Sequence, residues 1–175
     1  GEIWRNQLPY LKSVPDFDQI SPVYRWSKPL DAEQLLEAFS ETGGAETIEA
    51  LQRTSTGRLK RVVVRGPDGE IELPARELRR RLKLKSTYVR FEPPQPSNDS
   101  LGALDDWLNP SVEPQPQLIA KGRGFGHGVG MSQWGAYGLS LKGKGYAAIL
   151  RHYYPGAKLG FYQAPHSWPK PPPQP

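Results

Sequence analysis

The sequence has 175 residues, no cysteine and a net charge of +5, with 37% hydrophobic residues and a mean hydropathy of −0.63. These values exclude disulfides and thiol chemistry and leave enough apolar residues for a modest core. No apolar run approaches the roughly 18 residues that indicate a membrane-spanning helix, so no membrane span is predicted.

The charges are unevenly distributed along the chain. All 18 Asp and Glu residues lie at or before Glu113, whereas seven Lys and Arg residues follow it. A basic chain of pI about 9.5 favours polyanions such as nucleic acid, anionic membranes or acidic wall polymers. Nucleic-acid binding would rest on the charge alone, because the sequence has no recognised nucleic-acid-binding motif. We therefore expect no nucleic-acid partner.

The first half of the chain predicts an α+β fold. Residues 1–29 are expected to be irregular because four prolines interrupt them. Asp31 is a suitable helix N-cap, with Gln34 at the capping-box position and an apolar stripe behind it. A second short helix is predicted over 74–82, where a proline suits its first turn. Alternating and β-branched residues predict antiparallel strands over 47–51, 59–65, 71–73 and 87–91. An antiparallel sheet flanked by short helices is an α+β arrangement.

The second half is organised around a glycine cluster. A strand is predicted over 118–120, and two helices over 132–141 and 146–153, so that a glycine-rich loop leads into a helix pair. Before it, six prolines predict a linker or long loop. The predicted organisation is an α+β part, a proline-rich linker, a signature segment and a proline-rich tail, over residues 1–91, 92–117, 118–162 and 163–175.

Residues 122–134 read GRGFGHGVGMSQW, in which five glycines alternate with other residues. Such a cluster costs conformational entropy, so each glycine should serve a positive φ or a close backbone approach. The spacing does not fit the dinucleotide-binding fingerprint. A near match to a phosphate loop over 138–145 lacks the hydroxyl that would hold magnesium. A nucleophile elbow also fails, because Trp134 stands where its last glycine should be.

The histidines give no metal-binding pattern. They are His127, His152 and His166, and none has a close partner at the spacing of a zinc site. No metal and no cofactor are therefore expected.

The remaining functional interpretation is the floor of a groove. Alternating glycines would let a ligand lie against main-chain N–H and C=O groups. Polar side chains beside two aromatic rings, Trp134 and Tyr137, would suit a sugar polymer, whose rings have hydroxyl rims and C–H faces. The candidate substrate-binding residues are Gly124, Gly126, His127, Gly128, Gly130, Ser132, Gln133 and Trp134.

A purely structural explanation is equally open at this point. A glycine-rich turn that packs a strand closely against a helix needs no ligand. Trp134 and Tyr137 lie three residues apart on a predicted helix and are more simply explained as core residues than as binding platforms. The run from His152 to Tyr154 is most simply a packed helix end.

Residues 122–160 resemble the signature of the stage II sporulation protein D family, also called the amidase-enhancer family. The pattern is G-x-G-H-G-V-G-M-S-Q-W-G-A, a helix, and then Y-x-x-I-L-x-H-Y-Y-x-G. The stretches IWRNQLPYLKSVPD, STGRLKRVVVRG and ARELRRRLKLKSTYVRF resemble further parts of the same family. Together the resemblance covers roughly residues 1–162.

The resemblance implies a lytic transglycosylase, which cuts peptidoglycan between N-acetylmuramic acid and N-acetylglucosamine and leaves a 1,6-anhydro end. It implies peptide-stripped glycan strands as substrate, an amidase as a possible partner, and export to the cell wall, periplasm or exterior. The alternative from a different class is a non-catalytic wall-binding module or amidase enhancer.

The implied mechanism needs one glutamate as general acid. The resemblance places this residue upstream of Gly1, so no catalytic residue is identified in this sequence. We also expect exposed apolar surface where a further half of the domain would pack, with Val129, Leu139, Ile149 and Leu150 as its contributors.

Overall fold

A computed structural model describes residues 8–94 and 116–160. The predicted tail over 163–175, His166 and most of the predicted linker over 92–117 lie outside these residues, as does the start of the IWRNQLPYLKSVPD stretch.

The α+β class is confirmed, and the strands form two antiparallel sheets of three rather than one. In the first sheet, β6 (Leu118–Arg123) lies between β1 (Arg25–Leu30) and β5 (Val89–Glu92). The second has the order β2 (Thr47–Arg53), β3 (Leu59–Gly66) and β4 (Gly69–Pro74). The central position of β6 places the segment after the proline-rich stretch in the same sheet as the first strand.

Four α-helices accompany the sheets within the described residues. In chain order they are α1 (Ala32–Ala38), α2 (Ala75–Arg81), α3 (Gln133–Leu141) and α4 (Tyr146–Tyr153), with a 3₁₀ turn over Ser40–Thr42. The predicted cap of α1 is confirmed, because the Asp31 carboxylate accepts a hydrogen bond of 2.8 Å from the Gln34 N–H.

One prediction about the first 29 residues is wrong. Residues 25–29 belong to strand β1, although Pro29 lies within it. Among the described residues, the strand is at the edge of its sheet and pairs with β6 alone. A proline is tolerated at such an edge because one side of the strand needs no N–H donors. Residues 8–24 contain only turns and bends, as expected.

The main core lies beneath both sheets, α1 and α2. It draws residues from every strand, including Val62 and Val64 of β3, and one face of each helix. Val63 between them is buried as well, so β3 is covered on both faces at this point. The fully buried side chains of greatest volume include Phe39, Leu30, Leu35, Leu78, Val62 and Val64.

A smaller core holds the C-terminal helix pair. Leu139, Ile149 and Tyr153 are buried and pack with Val14 and Phe17 of the N-terminal segment. Leu139 and Ile149 were therefore wrongly expected to be exposed. The N-terminal segment covers them, and Val129 and Leu150 are half-buried.

A charged cluster on α2 gives the fold a dependence on acid pH. Hydrogen bonds from Arg80 and Arg81 lower the pKa of Glu77 to about 2. The folded pKa lies below the ordinary value of 4.5, so the stabilisation is complete above that value and is lost as pH falls towards 2.

We expect Glu77→Gln to be less stable than the wild type at pH 7 and equally stable near pH 2. Urea unfolding of both proteins across this range measures the difference. Because the cluster is exposed, about 1 M NaCl should shrink the difference at pH 7. If the difference in unfolding free energy between the two proteins does not change with pH, then Glu77 does not have a lowered pKa in the folded state.

Candidate functional site

Strand β6 leads directly into the glycine-rich loop, and a tryptophan anchors the junction. A side chain on Gly122 would lie 2.2 Å from the Trp26 ring, so only glycine permits this packing. The Trp26 indole Nε1 donates a hydrogen bond of 3.0 Å to the Gly124 carbonyl. The loop therefore begins at a fixed position on the sheet.

The next four glycines of the loop share one backbone property. All have positive φ, at 70°, 96°, 75° and 80° for Gly124, Gly126, Gly128 and Gly130 in turn. L-residues with side chains rarely adopt these conformations, which accounts for the strict alternation. Conformation alone therefore explains these glycines, and a ligand is not required to explain them.

The loop is also tied to the segment before β5. The Gly126 N–H donates to the Lys85 carbonyl at 2.8 Å, and the buried Ser86 hydroxyl donates to the Arg123 carbonyl at 2.7 Å. A parallel bridge between Ser86 and Gly126 accompanies these bonds. The segment KLKSTYVRF, which carried part of the family resemblance, thus holds the loop in place.

Arg58 lies directly beneath the loop. A side chain on Gly128 would meet the Arg58 guanidinium at 2.4–2.6 Å, so the loop backbone rests against this cation. Its Nη1 is buried and has no hydrogen-bond partner within residues 8–94 and 116–160. Burial lowers the pKa of Arg58, and the neighbouring charges of Arg123 and Arg79 lower it further.

His127 is exposed on the outer side of the loop. Its Nδ1 accepts a hydrogen bond of 3.3 Å from the Val129 N–H. In the neutral ring the proton therefore sits on Nε2, which is left free to contact a ligand. The structure does not bury this histidine in either core.

The loop ends at the N-terminus of α3, where Ser132 caps the helix. The Ser132 hydroxyl accepts a hydrogen bond of 3.0 Å from the Gly135 N–H. The Met131 N–H donates to the Tyr154 hydroxyl at 3.2 Å, which ties the loop end to α4. Gln133 is exposed at the first helical position.

The expectation that Trp134 and Tyr137 are core residues is wrong. They are 39% and 51% exposed, and their rings form an edge-to-face pair with centroids 6.0 Å apart. The buried face of α3 is instead made of Gly135, Gly138 and Leu139. Because glycines occupy the positions that face the protein, the large aromatic side chains point outwards.

These outward residues form an apolar surface. Trp134, Tyr137 and Leu141 follow one another at helical spacing on α3, and Leu141 is 63% exposed. Phe125 in the loop is 69% exposed. We call Trp134, Tyr137 and Leu141 the α3 stripe.

Two carboxylates near the site were missed by sequence reasoning. Asp16 accepts a hydrogen bond of 2.7 Å from the Tyr153 hydroxyl, and burial and then this contact raise the pKa of the tyrosine. Burial and then the charge of Asp16 raise the pKa of Asp18, while Arg123 and Arg58 oppose the shift. Asp16 ends the IWRNQLPYLKSVPD stretch and Asp18 follows two residues later, so the family resemblance was an available signal for Asp16 alone.

Two cavities lie elsewhere in the molecule. One of about 490 Å³ is lined by Lys28, Gln34, Glu41 and Lys83 among others, and one of about 210 Å³ lies between β2, β3 and β5. Neither includes a residue of the glycine-rich loop.

The described residues contain neither a metal site nor a membrane-spanning helix. Within them, no group of three or more potential ligand side chains comes together to hold a metal ion. No helix in the same residues is long and apolar enough to cross a membrane.

The family model that matches the chain is described as a domain of unknown function (DUF8618) and covers residues 5–130. Stage II sporulation protein D of Bacillus amyloliquefaciens is 28% identical over 89% of the chain, and that of Bacillus subtilis is 27% identical over the same share. The Amidase enhancer of B. subtilis is 51% identical over 23% of the chain and 6% of its own length. The chain spans 39% of the length of the two sporulation proteins.

Proposed function

The chain belongs to the family described as a domain of unknown function (DUF8618), and we propose that it binds peptidoglycan glycan strands as part of a lytic transglycosylase. The resemblance to stage II sporulation protein D supports this proposal, because it extends over 89% of the chain. The proposed setting is the cell wall of the producing cell, which the protein reaches by export.

One observation carries the proposal: an anchored loop of bare backbone lies next to exposed aromatic rings. The loop is held at Gly124 and Gly126 by hydrogen bonds to the sheet and its neighbouring segment. It leads directly into α3, where Trp134 and Tyr137 face outwards. A hexose ring can stack its C–H face on an indole while its hydroxyl groups reach loop N–H groups and the Nε2 of His127. A preorganised polar edge beside a flat apolar face is what a sugar polymer requires.

Cleavage needs a general acid, and we propose that this chain supplies the binding surface rather than the acid. Asp16 already accepts a hydrogen bond from Tyr153. Burial and then the charge of Asp16 raise the pKa of Asp18, and the positive charges of Arg123 and Arg58 oppose this rise. The glutamate that the family resemblance places upstream of Gly1 would protonate the glycosidic oxygen and then accept the proton of the C6 hydroxyl.

A non-catalytic wall-binding module or amidase enhancer is the second candidate. The 51% identity to the Amidase enhancer of B. subtilis favours it within the matched segment. Both candidates require glycan binding by this chain, and they differ in whether a glycan strand is cut.

The test is binding of this chain to peptide-stripped glycan strands. We expect Trp134→Ala to weaken binding about tenfold, because a stacked aromatic ring contributes roughly 1–1.5 kcal/mol. Isothermal titration calorimetry with purified strands measures the affinity. The matched control is Tyr146→Ala, which removes another exposed ring, 78% accessible, at the start of α4.

Two outcomes would count against the proposal. If wild-type protein does not bind the strands, glycan binding is wrong. If Trp134→Ala and Tyr146→Ala bind the strands equally well, the α3 stripe is not the binding face. Mass spectrometry of the same mixtures reports cleavage, and 1,6-anhydro ends produced by this chain alone would show that it carries its own acid.

A further inference from the structure

Three arginines from distant parts of the sequence converge beneath and beside the glycine-rich loop. Arg58 precedes β3, Arg79 lies on α2 and Arg123 ends β6. Burial lowers the pKa of Arg58, and the nearby charges of Arg123 and Arg79 lower it further. We call these three residues the arginine cluster.

Arg123 is the exposed member of the cluster, and its orientation is fixed. Its guanidinium carbon lies 4.0 Å from the centroid of the Tyr88 ring, over the ring face. Its backbone is held on both sides, since its N–H donates to the Tyr88 carbonyl at 3.0 Å and its carbonyl accepts from Ser86. Stacking on a ring uses the face of the guanidinium and leaves the N–H groups at its edge free for a bidentate contact.

Arg58 supplies further positive charge, from the side of the loop where its guanidinium packs against Gly128. It is half-buried against Gly128, and its Nη1 has no hydrogen-bond partner among the residues that the structure describes. A buried donor without a partner is unfavourable, and a cation in this position is especially so. The arrangement is therefore costly unless an anion offsets it.

The described part of the protein does not provide that anion at contact distance. None of the three arginines forms a salt bridge with a described carboxylate, whereas arginines elsewhere do; they are Arg61, Arg65, Arg80, Arg81 and Arg90. Asp18 faces Arg58 and Arg123 and opposes their charges in part, but it makes no ion pair within 4.0 Å. Three cations against one carboxylate leave a net positive site.

We infer that the arginine cluster is a carboxylate-binding site, and that its ligand is the lactyl carboxylate of N-acetylmuramic acid in peptide-stripped glycan strands. This inference rests on the proposed function. In intact peptidoglycan the lactyl group is joined to the peptide through an amide and carries no charge. Hydrolysis of that amide adds water across the C–N bond and leaves a carboxylate on the sugar and an amine on the peptide.

The reaction that must precede binding is thus an amide hydrolysis. Strands with their peptides attached lack the charge that Arg123 would pair with, and a stripped strand carries one carboxylate for each muramic acid. Selection for stripped strands would then follow from charge pairing, in addition to any steric exclusion of peptides.

The experiment compares stripped strands with the same strands after their carboxylates have been converted to methylamides. We expect the wild type to bind the carboxylate form at least about tenfold more tightly, the usual magnitude for a charge-assisted contact. Arg123→Gln should bind both forms with the lower affinity and should melt at nearly the wild-type temperature, because the side chain is exposed. Arg90→Gln is the control, since it removes the same charge from an arginine already paired with Glu92.

A second measurement separates this site from the proposed function. N-acetylmuramic acid and N-acetylglucosamine are titrated into the ¹⁵N-labelled chain, and the arginine Nε–Hε signals are followed by NMR. We expect the acid alone to shift the Arg123 signal, even if polymer binding fails. Equal affinity for both forms of the strand with no response to the acid would overturn the inference and leave glycan binding intact. An equal response of Arg123 to inorganic phosphate would overturn the assignment to a carboxylate.

Discussion

Replacing Gly138 by alanine is expected to destabilise the protein by about 3 kcal/mol, or to lower its Tm by roughly 10 °C. Inside a helix the same change normally stabilises by up to about 1 kcal/mol. At residue 138 the substitution should destabilise the protein instead, because a Cβ at this position would lie 2.2 Å from the backbone carbonyl oxygen of Phe17. A backbone atom cannot move aside as a flexible side chain can, so α3 would have to shift away from the N-terminal segment.

The measurement is urea or thermal unfolding followed by circular dichroism. Gly160→Ala serves as the control, since no heavy atom of the described residues lies within 4 Å of the added Cβ. It should change stability by less than about 0.5 kcal/mol. If Gly138→Ala stabilises the protein instead, α3 does not pack on residue 17 as described.

The same packing explains why an exposed aromatic face exists on α3. Close approach of the N-terminal segment requires small residues at Gly135 and Gly138. Large residues therefore occupy the outer face, where Trp134 and Tyr137 are accessible. One structural requirement thus produces the surface that we propose for glycan binding.

Much of the fold could be predicted from local sequence signals. The Asp31 cap, the β-branched run of β3 and the Ser132 cap each depend on residues within a few positions of one another. Strand β1 was missed because its pairing with β6 depends on a distant partner, and a proline within it argues against a strand.

The candidate site was only half predictable for a related reason. The composition of residues 122–130 predicts a glycine-rich loop, and the alternation of glycines predicts their positive φ values. The groups that surround it, Arg58, Tyr88 and Asp18, come from three distant segments. Helical and strand periodicity contain no information about such contacts, so the cluster became visible only in the folded chain.

Trp134 illustrates a different limit of sequence reasoning. Two aromatic residues three positions apart on a short helix usually face a core. The competing signal was Gly135 and Gly138, which mark the face of closest approach and leave the opposite face to solvent. The glycine pattern within the helix was thus more informative than the aromatic pattern.

His127 lies in the glycine-rich loop that leads into α3, and we expect it to act on the glycan rather than to support the fold. It is exposed, and its one hydrogen bond within the described residues is a contact of 3.3 Å from Val129. Loss of this ring should therefore change Tm by no more than about 1–2 °C. Its free Nε2–H is available to hold a sugar hydroxyl or to orient the acid during cleavage.

In a longer version of the protein that cuts glycan strands, His127→Ala should lower kcat about 100-fold or more, the usual effect of removing a positioned catalytic group. His127→Gln separates two roles, because an amide can donate a hydrogen bond near the Nε2 position but cannot transfer a proton at neutral pH. Recovery of activity in this variant would assign His127 to hydrogen bonding, and continued loss would assign it to proton transfer.

His152→Ala is the matched control and should show the opposite behaviour. The ring of His152 is half-buried, its Nε2 lies 2.7 Å from the Pro15 carbonyl oxygen, and it packs against Phe17 with centroids 5.6 Å apart. Its removal should lower Tm while leaving turnover per folded molecule unchanged. If instead His127→Ala lowers Tm and turnover per folded molecule stays at the wild-type value, then His127 is structural and the loop acts through its backbone alone.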